Sequence, residues 1–141
     1  MKSPDPALDI RAPRAGDLVQ VVDLENDCFE DPWVPDALAQ ELRPDRLRLP
    51  LVAELDGRVV GYLMAWKVVD QLHILHIAAD PALRRRGIGT ALLRAAAVRA
   101  AALGLSELTL EVRASNKAAL AFYRRHGFRR TGVRPGYYED N

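Results

Sequence analysis

The stretch that most constrains this chain is Arg84-Arg-Arg-Gly-Ile-Gly89. An apolar run from His73 to Ala79 precedes it and reads as a strand; an alanine-rich run from Thr90 to Leu103 follows and reads as a helix. Strand, glycine turn and helix start, in that order, build a site for an anion. The first turn of a helix carries N–H groups without intrahelical acceptors, and the positive end of the helix dipole lies there. Gly87 and Gly89 remove side chains that would hold a diphosphate away from those donors. Arg84, Arg85 and Arg86 add full charges and forked donors. A glycine turn flanked by solvated arginines is the ordinary alternative, and the hexapeptide alone does not decide between them.

Two other phosphate loops do not fit. A P-loop needs Lys and Ser or Thr after its last glycine, and Thr90-Ala91 follows Gly89 here. The dinucleotide fingerprint needs a third Gly or Ala where Leu92 stands, and Glu107 is badly placed to serve as its acidic partner. Whatever phosphates bind belong to another ligand.

At 141 residues the chain reads as a single domain (1–141), long enough to bury about two thirds of its unfolded surface. Residues 1–7, with two prolines, read as a loose tail. The net charge of +1 sets up no global field for nucleic acid or membrane. Basic residues gather locally, at Arg84–Arg86 and Arg124–Arg134, which suits a small anion better than a polyanion. Cys28 is the only cysteine, so no intrachain disulfide can form; with no apolar leader near Met1, a cytoplasmic protein is expected.

The expected elements run as follows. Leu8–Ala12 reads as a strand, Asp17 as the cap of a helix with Leu18, Val21, Val22 and Leu24 on its apolar face, and Asp36 as the cap of a second helix to about Leu42. Between the helices lies a proline-punctuated loop with Phe29 and Trp33. Leu49–Leu55 and Arg58–Val68 read as strands joined by an Asp56-Gly57 hairpin turn, and Gln71–Ala79 as the next strand. Leu92, Leu93, Ala96, Ala97, Ala100 and Leu103 mark the packing side of the following helix, which Gly104 closes. Ser106–Arg113 is a strand, Ser115 caps a helix to Arg125, and Phe128–Val133 starts a further strand. The sum is an α/β chain with a mixed sheet and helices on its faces.

Two residues could carry chemistry. Glu111 interrupts an apolar strand: a solvated edge residue is the ordinary reading, a partly desolvated general base the functional one. Tyr123 could pack with Phe122 and Leu120, or its phenol could protonate a leaving group.

The block Asp80-Pro-Ala-Leu-Arg-Arg-Arg-Gly-Ile-Gly-Thr-Ala-Leu-Leu93 and the block Leu110-Glu-Val-Arg-Ala-Ser-Asn-Lys-Ala-Ala-Leu-Ala-Phe-Tyr-Arg-Arg-His-Gly-Phe128 together resemble the GNAT N-acetyltransferases. More narrowly they resemble the bacterial RimI type, which acetylates the N-terminal alanine of a small-subunit ribosomal protein. The likeness runs from about Ile10 to Tyr138. It implies a GNAT fold, a mostly antiparallel mixed sheet with two splayed parallel strands and helices on both faces. It implies acetyl-CoA as co-substrate, its pyrophosphate on the amides of residues 85–90 (Arg85, Arg86, Gly87, Ile88, Gly89, Thr90) beside Arg84, and its pantetheine arm along Ile77–Ala78. Asn116 and Tyr123 match cofactor contacts, Tyr123 also the general acid and Glu111 the general base; Phe29, Trp33, Tyr137 and Tyr138 match the walls of a peptide slot. No metal is implied.

His73 and His76 read as ordinary strand residues, although one could assist proton transfer, and Cys28 has no need to act as a nucleophile. The family pattern continues past Tyr138 into an acidic turn and a last strand, so with the sequence ending at Asn141 either it stops short of that strand or the sheet lacks it. An N-terminal amine is chemically the easier acceptor. With a pKa near 7.7–8, roughly a tenth of it is free base at neutral pH, against well under a thousandth of a lysine. The partner that the resemblance implies is a protein N-terminus, that of a ribosomal protein, with no direct nucleic acid and no membrane involved and a monomer or weak dimer as the acting form. A small-molecule amine acetyltransferase and a non-catalytic acyl-CoA-binding module remain the competing readings.

Overall fold

A computed structural model describes residues 7–83, 86–110 and 117–125, with the backbone alone for 117–120. Among these, five strands form one sheet in chain order: β1 (Asp9–Arg11), β2 (Leu51–Leu55), β3 (Arg58–Val68), β4 (Gln71–Ala79) and β5 (Glu107–Leu110). The first four pair antiparallel and β5 lies parallel to β4. Four helices accompany them: α1 (Leu18–Cys28), α2 (Pro35–Glu41), α3 (Ile88–Ala102) and α4 (Lys117–Arg125).

Both faces of the sheet are covered, which explains why β2 and β3 read as nearly unbroken apolar runs rather than alternating ones. On one face Leu51, Val60, Leu63, Leu72 and Ile74 pack with Ile88, Leu92, Leu93 and Ala96 of α3. On the other, Val52, Tyr62, Met64 and Ala78 pack with Val21 and Leu24 of α1 and Leu38 of α2. Each fully buried Leu, Val or Met contributes about 1.5–3 kcal/mol.

The Asp56-Gly57 turn forms as expected, both residues adopting the left-handed conformation of a two-residue hairpin. Helix α3 also closes as read from Gly104: its N–H donates to the Ala101 carbonyl at 3.1 Å, and Leu105 N–H to Ala100 at 2.9 Å. Its start lies two residues before Thr90. Ala97 and Leu103 are exposed rather than packed, while Ile88 and Ala91 are buried.

Asp17 stands at the N-cap of α1 but makes no side-chain cap hydrogen bond there, and the N-cap of α2 is Val34 rather than Asp36. Asp17 ends a short 3-10 turn (Ala15–Asp17), and its carboxylate grips the Arg11 guanidinium at 2.8 and 3.0 Å and the Arg14 N–H at 2.6 Å. A bidentate arginine outcompetes a single helix N–H for that carboxylate. Helix α2 begins on Pro35, which supplies the preset φ of a first helical residue, so Asp36 lies inside the first turn rather than at the cap. The readings of Arg113, Ser115 and Phe128–Val133, and of an absent last strand, fall outside the described residues.

Candidate active site

Strand β4 organises the site through one irregularity. Met64 of β3 faces His76, while the next residue, Ala65, faces Ile74, so Leu75 is an extra residue bulged out of β4. A bulge changes which residues point to which face. Before it, Leu72 and Ile74 face α3; after it, Ile77 and Ala79 do, and His76 and Ala78 turn toward α1. Pairing with β5 ends at Ile74–Leu110, while β4 runs on to Ala79. Beyond Ile74 no described residue pairs with that edge of β4. This is where the sequence placed Ile77 and Ala78 beside an extended ligand arm; strand alternation puts the two on opposite faces, and the bulge decides which face each takes.

On the α3 side, Gly87 precedes the helix in the left-handed conformation (φ 73°), where a residue with a Cβ would be strained by about 1–2 kcal/mol. The first intrahelical bond is Ala91 N–H to the Gly87 carbonyl, 2.9 Å, so the Ile88 and Gly89 N–H groups ahead of it have no acceptor within the helix. That is the geometry of a helix-start anion site. Arg86 is exposed beside it and Thr90 is buried. Arg84 and Arg85 lie outside the described residues.

Two glycines on this side serve packing. A Cβ on Gly61 of β3 would come 2.6 Å from Ile88 Cγ2 and 3.0 Å from the Ala78 carbonyl, so Gly61 is what lets α3 begin directly on the sheet. The sequence reading missed this role. A Cβ on Gly89 would come 2.8 Å from Phe122 Cζ of α4. Gly89 therefore admits an aromatic ring, a requirement separate from room for phosphate.

Tyr123 packs against the same cluster as Ile77, Ile88 and Leu110, with the Phe122 ring 5.4 Å away in an edge-on arrangement. Burial pushes its hydroxyl up to about 12, so it stays protonated across the physiological range. The ordinary reading of Tyr123 as a packed aromatic holds. Glu111, Asn116, Tyr137 and Tyr138 lie outside the described residues.

The α1 side holds a cluster that the sequence reading did not identify. Glu25 of α1 is completely buried. One carboxylate oxygen accepts hydrogen bonds from the Tyr62 hydroxyl of β3 and from His76 Nε2 of β4, the latter at 2.7 Å. The other oxygen accepts the Trp33 backbone N–H at 2.9 Å. Donating to a carboxylate fixes the proton of His76 on Nε2 and leaves Nδ1 as the basic nitrogen of the neutral ring. Tyr62, buried and facing the Glu25 charge, has its hydroxyl pushed well above the ordinary tyrosine range by burial first and that carboxylate second.

Around this carboxylate the two aromatics expected to wall a slot come together. The Trp33 ring stacks on His76 at 4.4 Å with 15° between planes, and Phe29 lies 4.6 Å from the same imidazole. His73 behaves as read, its Nδ1 2.9 Å from Thr109 Oγ1 across β4 and β5. His76 lies against both aromatic rings and bonds Glu25. Cys28 donates its thiol to the Ala79 carbonyl at 3.3 Å, and burial pushes that thiol up, the opposite of what a nucleophile needs. One signal for Glu25 was present in the sequence. It follows Val21 by four residues, on the buried face of an amphipathic helix, where a charge must find partners.

Comparison with known proteins agrees with this fold. The model of the acetyltransferase (GNAT) family matches residues 18–128. A Bacillus subtilis (strain 168) protein provisionally named a ribosomal protein bS18-alanine N-acetyltransferase is 35% identical over 94% of this chain and 87% of its own length. The Escherichia coli (strain K12) ribosomal protein bS18-alanine N-acetyltransferase is 32% identical over 86% of this chain and 81% of its own. The crystal structure of the Escherichia coli ribosomal-protein-S18-alanine N-acetyltransferase superposes with a TM-score of 0.83 at 30% identity, covering 93% of this chain and 83% of that one. With sheet, bulge, helix start and family model in accord, the chain belongs to the GNAT acetyltransferase family.

Proposed function

We propose that this enzyme transfers the acetyl group of acetyl-CoA to the N-terminal α-amino group of a protein, a ribosomal protein being the candidate substrate. The diphosphate would rest on the amides of residues 85–90 at the start of α3, beside Arg84, and the pantetheine arm would follow the edge of β4 at Ile77–Ala78. Asn116 would contact the far end of the coenzyme. Glu111 takes a proton from the nitrogen as it attacks the thioester carbonyl; the carbon–sulfur bond breaks, and Tyr123 returns a proton to the departing thiolate.

The observation that carries the peptide reading is the wall of Phe29, His76 and Trp33, backed by Glu25. Flat aromatic surface suits an extended chain end, and Tyr137 and Tyr138 would complete the slot. A polycationic small amine calls for free carboxylates, whereas Glu25 is buried and already holds three donors of the protein itself. The relatives named for ribosomal protein bS18 point the same way.

The test is acetyl transfer from acetyl-CoA to peptides differing in their first residue, with polyamines and an N-terminally blocked lysine peptide as controls. Free N-termini, led by an alanine-first sequence, are expected to react. Preference for polyamines would support the small-amine reading, and coenzyme binding without any transfer would support a non-catalytic module.

A further inference from the structure

Proton accounting exposes a gap in the reaction just described. An α-amine enters at neutral pH mostly as an ammonium with three protons and leaves as an amide with one. Two protons must depart from nitrogen, and one is matched by the proton delivered to sulfur. Glu111 accounts for the second departure, which accompanies bond formation. The first, which creates the nucleophile, needs an acceptor of its own on the side from which the amine arrives.

We propose that His76 is that acceptor and that Glu25 is the residue positioning it. The proposal rests on the acetyl-transfer reading above and assigns a residue to a step which that reading leaves open. Three observations carry it. The bulge at Leu75 turns His76 to the α1 face, one residue before the Ile77–Ala78 segment. Its Nε2 is committed to Glu25 at 2.7 Å, and Nδ1 has no hydrogen-bond partner among the described residues. The ring is held between Phe29 and Trp33 yet retains 14% side-chain exposure, a route for returning the proton to water.

Glu25 is 1% exposed at its side chain, so it cannot meet the amine itself. It acts through the imidazole, fixing the ring and opposing its positive charge once the proton arrives. The titratable groups packed around His76 are Glu25 and Cys28 of α1 and Tyr62 of β3; Glu30 and Asp31 of the connecting loop are exposed. In the balanced sequence, ammonium gives one proton to His76 Nδ1, which passes it to solvent. The free amine then forms the nitrogen–carbon bond, Glu111 takes the second proton, and the thiolate receives one from Tyr123.

The experiment measures kcat/KM for a reactive peptide from about pH 6 to about pH 9, spanning the α-amine pKa, in wild type, His76→Gln, His76→Phe and Glu25→Gln. Calorimetric titration with acetyl-CoA runs in parallel as the check on folding. His76→Gln keeps a donor for Glu25 and cannot titrate. It is expected to lose about 10²-fold near pH 6, with acetyl-CoA affinity held. The deficit should shrink as pH rises past the pKa of the amine, where substrate arrives already deprotonated. His76→Phe, which keeps the stack, should behave alike, and Glu25→Gln should show a smaller loss with the same narrowing. A deficit that stays constant with pH, or none at all, overturns the proposal while the acetyl-transfer reading stands. A wild type that acetylates no amine sinks that reading, and this assignment with it.

Discussion

The two faces of β4 are built on different principles. On the α3 side the candidate binding groups are backbone: a left-handed glycine, a helix start and a stretch of β4 edge with no strand partner among the described residues, all within residues 75–91. On the α1 side they are side chains, Glu25, Trp33, Tyr62 and His76, drawn from segments up to 51 residues apart and dependent on one another for their hydrogen bonds. Backbone donors recognise any diphosphate and survive most substitutions near them. A shared buried carboxylate gives specific positions but fails as a unit. Coenzyme binding and amine handling should accordingly be separable by mutation, and the asymmetry can be pressed at several points.

The largest effect is expected from Glu25→Ala. It strands the buried Tyr62 hydroxyl and the Trp33 N–H, each at a cost of about 1–3 kcal/mol. A domain of this size should lose on the order of 10 °C in Tm, while the folded fraction still binds acetyl-CoA. A Tm within a degree or two of wild type would mean the cluster is no unit. On the opposite face, Tyr123→Phe is expected to lower kcat about 10²-fold with coenzyme affinity intact. With its hydroxyl pushed up to about 12, the wild type should show no falling limb of kcat in the ordinary tyrosine range near 10. Turnover unaffected by the substitution would remove this tyrosine from the mechanism.

Gly89→Ala sharpens the comparison within the α3 side. Its Cβ meets Phe122, so a loss of about 1–3 kcal/mol from overpacking is expected, and Phe122→Leu in the same chain should restore part of it. Weakened acetyl-CoA binding that Phe122→Leu does not relieve would instead assign the glycine to phosphate approach. The smallest effect concerns acid. The Arg11 guanidinium holds Asp17 below the ordinary carboxylate range. Its stabilisation is then complete above the unfolded value near 3.9 and is lost as pH falls through the lower folded value. Asp17→Asn should flatten the acid arm of a Tm-against-pH curve and leave its neutral part nearly level. An unchanged acid arm would show the pair to be inconsequential.

Legibility in the sequence follows the same divide. The glycine turn and helix start at Gly87–Gly89 were legible because both are written in consecutive residues. The elements β2, β3 and β4, with the Asp56-Gly57 turn, were equally plain, since apolar runs and turn chemistry are local. Leu75 was not, because a bulge shows only in the register of two strands. Without the bulge His76 sits on the wrong face, and its partnership with Glu25 is invisible. The cap readings met two local obstacles: Asp17 holds the N-cap position of α1 but commits its carboxylate to Arg11, and the helix that Asp36 was to cap begins one residue earlier, on Pro35.

The separation of donor and acceptor across β4 can be tested most directly by mapping backbone amide shifts, first with acetyl-CoA and then with an alanine-first acceptor peptide beside the unreactive coenzyme. Acetyl-CoA should perturb Arg86–Thr90 and Ile77–Ala79 while leaving Glu25–Trp33 still, and the peptide should then move Phe29, Trp33 and His76. Perturbation of Glu25–Trp33 by the coenzyme alone, with no change at the start of α3, would contradict the account.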